Sequence, residues 1–86
     1  MSFEFDGAKS AANKAKHGID FAEAQALWAG EIVEIPARSE TEPRRAVIGM
    51  IGAQYWTALV TPRGKNIRII SVRRARENEI NLYEQT

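Results

Sequence analysis

The stretch Ile67-Arg68-Ile69-Ile70-Ser71-Val72-Arg73-Arg74-Ala75-Arg76 constrains the fold more than any other part of the chain. It is the densest β-branched run, and it continues into a polar segment without a Gly or Pro. β-Branched side chains favour a pleated, half-buried setting, so Ile67 to Val72 reads as the strongest strand. Strict alternation points Ile67, Ile69 and Ser71 to one face and Arg68, Ile70 and Val72 to the other. Neither face is wholly apolar or wholly polar. The expectation is a central strand covered on both sides, rimmed by Arg68, Arg73, Arg74 and Arg76. Cations crowded at the end of a rigid strand suit a phosphate.

What surrounds that strand is limited by length and composition. The 86 residues suffice for one domain, spanning 1–86, that buries about 60–65 % of its unfolded surface. Zero cysteines remove disulfides, thiol catalysis and cysteine-held metals, and a single histidine removes a histidine-rich zinc site within one chain. No metal or cofactor is therefore expected. There is no apolar run long enough to span a membrane and no charged-then-apolar start, so the expectation is a cytoplasmic protein with no membrane partner.

The net charge is only +1, but its distribution is uneven. Asp20, Glu23, Glu31, Glu34, Glu40 and Glu42 make the segment after His17 acidic, with Arg38 the one interruption. From Arg44 to Arg76 the chain carries Arg44, Arg45, Arg63, Lys65, Arg68, Arg73, Arg74 and Arg76 with no acid between them. A local basic patch steers polyanions. The plain alternative is a solvated face balanced by the acidic segment.

Read in order, Phe3 and Phe5 flank Glu4 as a short strand or anchoring tail. Asp6 is a good N-cap, and Ala8, Ala11, Ala12 and Ala15 then recur at helical spacing, predicting a small-residue helix stripe that packs closely. Gly18 is placed to end this helix. Asp20 with Glu23 makes a capping box for a second helix whose buried face is Phe21, Ala24, Leu27 and Trp28. The two form a helical hairpin whose corner presents Lys16 and His17. Ile32 to Ile35 predicts a strand stopped by Pro36. Ala46 to Ile51 and Tyr55 to Thr61 predict two more, and Pro62-Arg63-Gly64-Lys65 makes the hairpin into the arginine-rimmed strand. A narrow final helix carries Ile80 and Tyr83. The class expected is α+β: an N-terminal helical hairpin on an antiparallel sheet of about four strands, with a C-terminal helix.

These residues together resemble a known family. Phe5-Asp6, Lys9, Asn13, Lys16-His17-Gly18-Ile19 and Phe21 look like the amino-terminal signature of BrnT toxins. Arg44 with Gly49, then Thr61-Pro62-Arg63-Gly64 and Ile67-Arg68-Ile69-Ile70-Ser71, look like that family's second half, and Glu79 and Tyr83 match its closing helix. Two departures stand out. Phe5 occupies a position where the family usually has Trp, and Tyr55 to Val60 replaces a continuous aliphatic run. The resemblance implies a RelE-like ribonuclease fold and metal-independent cleavage of RNA that arrests translation. It also implies neutralisation by a BrnA-type antitoxin, through which the pair binds operator DNA.

Cutting RNA without a metal drives the 2′-hydroxyl onto the adjacent phosphorus. The reaction needs a base near that hydroxyl, an acid near the leaving oxygen and cations on the developing charge. The expected catalytic group is Lys16, His17, Arg68, Ser71 and Arg73, with Lys9, Arg44, Arg63 and Trp56 binding RNA. His17 suits either a general acid or a plain helix-end cation, and Lys16 either a phosphate ligand or a base. Ser71 reads equally as a strand-end hydroxyl, Trp56 as core, and Arg68 as a cross-sheet partner of Glu31 or Glu34. A rival from another class is a non-catalytic module whose basic sheet holds nucleic acid or an acidic segment.

Overall fold

The computed structural model describes residues 2–86. Strand β1 (Ser2–Glu4) leads into helix α1 (Gly7–His17). Helix α2 (Phe21–Ala24) follows and tightens into a 3₁₀ segment, Gln25–Ala29. Strands β2 (Ile32–Ala37), β3 (Arg44–Ile51), β4 (Gln54–Arg63) and β5 (Asn66–Arg74) come next, then helix α3 (Glu77–Glu84). The strands form one sheet in the order β1-β5-β4-β3-β2. β1 runs parallel to β5, and every other pair is antiparallel.

The class is α+β, but the architecture differs from the expected one. The sheet is mixed and five-stranded rather than antiparallel with about four strands, because Phe3-Glu4 zips onto Ile67-Arg68. The chain thus opens on a strand, not a helical hairpin. The second helical element is one α-turn followed by 3₁₀, too short to make a hairpin of equals. β4, not β5, is central. Pro36 does not stop β2, which runs to Ala37; β2 is an edge strand, where a missing N–H costs no ladder bond.

β5 departs from strict alternation. Val60 pairs with Ile69 and Leu59 with Ser71, so Ile70 is an extra residue, a β-bulge. The bulge resets the phase, letting Ile69 and Val72, three residues apart, both enter the core at 2 % and 0 % exposure. With them the core holds Ile19, Phe21, Ala24, Leu27, Val47, Ala58 and Val60, and Phe3, Phe5, Trp28 and Trp56 pack against it. Phe3 meets Trp28 and Phe5 meets Phe21 edge-to-face. Those contacts anchor β1.

α1 buries a different face from the one its alanines predict. Ala8, Ala11, Ala12 and Ala15 are all exposed, and the buried residues are Ser10 and Asn13. Each is buried because it satisfies backbone groups. Ser10 Oγ accepts the Phe21 N–H at 2.9 Å. Asn13 Nδ2 donates to the carbonyls of Ile19 and Val72 at 2.8 and 2.9 Å, and its Oδ1 accepts the Val72 N–H at 3.2 Å. β1 covers the outer edge of β5 only as far as Arg68. Beyond it, the Asn13 amide does for Val72 what a neighbouring strand would do. The caps are those the sequence predicts: Asp6, Gly18 in the left-handed region at φ 83°, and the Asp20–Glu23 box.

Candidate functional site

Because α1 lies along the β5 edge, its first turn and the start of β5 enclose one side of a cleft, and the approach to β3 closes the other. The cavity has a volume of about 220 Å³ and is lined by Lys9, Arg44, Arg63 and Arg68 together with Asp6 and Glu42, with Ile69 and Ile70 completing its wall. Four cations thus face two carboxylates. The Nε of Arg44 is the one buried side-chain polar atom without a hydrogen-bond partner among the described residues. Its Nη2 reaches only a long 3.5 Å contact to Glu42 Oε1. A buried donor left in this state favours an acceptor from outside.

Neighbouring groups hold the lining side chains in place. Glu4, carried beside Arg68 by the parallel β1 register, accepts from Arg68 Nη1 at 3.3 Å and from Asn66 Nδ2 at 3.1 Å. The Asn66 bond is the main cause that holds the Glu4 carboxyl below its ordinary value, with Arg68 and Arg63 adding to it. Asp6 is likewise depressed, chiefly by the Lys9 N–H that it accepts as N-cap at 3.0 Å. Arg68 therefore pairs with Glu4, not with Glu31 or Glu34; Glu34 pairs with Arg45 at 3.2 Å.

The other expected site residues lie elsewhere. Lys16 and His17 end α1, seven and eight residues past Lys9, a rise of about 10–12 Å along the helix, and do not line the cleft. Ser71 is half-buried opposite Leu59, just past the bulge. Arg73 is engaged by Glu79 of α3 in a two-pronged pair at 2.7 and 2.9 Å. Glu79 also accepts from the Thr57 hydroxyl at 2.9 Å and the Arg76 N–H at 2.8 Å. Led by Arg73, these donors pull its carboxyl from 4.5 to about 2. Trp56 packs on the core with Arg74 stacked 5.4 Å above its ring. The structure therefore gathers Lys9, Arg44, Arg63 and Arg68, and separates them from Lys16, His17 and the engaged Arg73. Asp6 and Glu42 were not foreseen at this site. Only the adjacency of Glu42 to Arg44 in sequence hinted at it.

Chemically, such a cleft suits an anion with several oxygens: guanidinium groups meet phosphate through paired N–H donors, and Lys9 adds a point charge. Comparison with curated proteins gives no match. A family model described as "Ribonuclease toxin, BrnT, of type II toxin-antitoxin system" matches residues 5–79, a span that includes every residue lining the cleft, and the chain belongs to that family.

Proposed function

We propose that this chain is a metal-independent endoribonuclease of RelE-like fold that cleaves RNA in the cytoplasm and thereby inhibits translation. A BrnA-type antitoxin holds it in check, and operator DNA is bound only through that complex. The observation that carries the reading is the convergence of Lys9, Arg44, Arg63 and Arg68 on one cleft that contains the unpartnered Arg44 Nε. In this reading the cleft takes the scissile phosphate. Its guanidinium groups meet the charge that grows on the phosphorane oxygens, and removing one such donor costs on the order of 10²–10³ in rate. Lys16 and His17 act outside the cleft, flanking the RNA.

The test is direct. Purified chain incubated with RNA in EDTA should fragment it into products ending in a 2′,3′-cyclic phosphate and a 5′-hydroxyl. RNA retained intact, with retention falling steeply as salt rises, would instead identify a non-catalytic binding module. The antitoxin should abolish fragmentation at stoichiometric amounts.

A further inference from the structure

A phosphate-holding cleft also needs a proton acceptor, and the one histidine is at the other end of α1. We propose, on the basis of the ribonuclease reading, that Glu42 is the general base of the cleft and takes the proton of the attacking ribose 2′-hydroxyl. Two carboxylates line the cavity, and they are not equivalent. Asp6 is committed to capping α1 through the Lys9 N–H. Glu42 has only the 3.5 Å contact to Arg44 Nη2, beyond the 2.7–2.9 Å of a strong charge-assisted bond, and its side chain is 35 % exposed. A carboxylate so lightly held is free to turn toward a hydroxyl.

Its backbone, by contrast, is pinned. The Glu42 N–H donates to Ser39 Oγ at 3.3 Å, and the carbonyl of the next residue, Pro43, accepts the hydroxyl of buried Thr61 at 2.6 Å. Glu42 is thus fixed to β4 and set beside Arg44, the residue whose Nε awaits an acceptor. When Arg44 takes a phosphate oxygen, Glu42 stands next to that phosphate, where a base must be.

The step balances without a further reactant except water. The 2′-oxygen forms its bond to phosphorus as its proton passes to the Glu42 carboxylate, and the bond from phosphorus to the 5′-oxygen breaks. Water protonates the departing 5′-oxygen, and the hydroxide left behind recovers the proton from Glu42. The products are a 2′,3′-cyclic phosphate and a 5′-hydroxyl, and the carboxylate is regenerated.

Single-turnover cleavage of a labelled RNA in EDTA, with RNA affinity measured in parallel, tests the assignment. Glu42→Gln, nearly isosteric, should cleave about 10²–10⁴-fold more slowly while its affinity stays within about threefold. Glu42→Ala should be equally slow and should recover with increasing formate, which supplies the missing carboxylate; a purely structural role would give no such rescue. Glu40→Gln, an exposed neighbour outside the cleft, should match wild type. Glu42→Gln cleaving at the wild-type rate would overturn the base assignment alone. Wild-type chain that leaves RNA intact would overturn the ribonuclease reading and this assignment together.

Discussion

Arg44 combines a long ion pair, a buried Nε without an acceptor and a place among three other cations. Lysine keeps the charge but loses the planar fork, so Arg44→Lys should weaken RNA affinity about tenfold, one missing charge-assisted bond. Filter binding under EDTA checks this, and unchanged affinity would remove Arg44 from the site. Asn13 carries the comparable burden for stability. Asn13→Ala strands the Val72 N–H and C=O and the Ile19 C=O, and should cost about 2–4 kcal/mol in urea unfolding. At this scale the sequence is legible where a residue's own chemistry decides its place. Asp6, Gly18, Asp20 and Glu23 cap helices as expected, because a cap depends on neighbours within three or four residues. Asn13 and Glu79 are legible only as motif positions, since each also reaches across the fold, Asn13 to Val72 59 residues away and Glu79 to Thr57 22 residues away.

Among the elements, α3 depends most on one ion pair. Glu79 is 6 % exposed and joins Arg73, Thr57 and the Arg76 backbone, while Tyr55 and Tyr83 meet edge-to-face nearby. Because folding lowers the Glu79 carboxyl to about 2, its contribution is fully present above the ordinary 4.5 and is lost as pH falls toward 2. Urea midpoints should therefore decline across that window in wild type, and Glu79→Gln should flatten the decline while lowering neutral stability by about 2–3 kcal/mol. The four longer strands and the α+β class could be read from β-branched runs and turn residues. The bulge at Ile70 could not, because no Gly marks it; it is set by the need to bury both Ile69 and Val72. β1 was ambiguous for a different reason: three residues carry too little pattern, and their pairing with β5 is fixed by Phe3 and Phe5 packing across the core.

For the molecule as a whole, the division between acidic and basic segments in sequence does not survive as two separate surfaces. Folding lays Glu34 beside Arg45 and Glu4 beside Arg68, and it gathers Lys9, Arg44, Arg63 and Arg68 around one cleft. RNA affinity should accordingly fall as salt rises, and less steeply in Arg63→Ala, which a salt titration of binding checks. The candidate cations were all legible as charges; which of them converge was not, because convergence depends on α1 lying along the β5 edge. The measurement that bears most directly on the cleft is single-turnover cleavage of an end-labelled RNA in EDTA by an Arg44→Ala/Arg68→Ala double variant, with folding verified by unfolding midpoint. The cleft account predicts a loss of at least about 10² in rate, with His17→Ala cleaving nearly as wild type. A double variant that cuts at the wild-type rate, beside an inert His17→Ala, would contradict it and move the chemistry to the far end of α1.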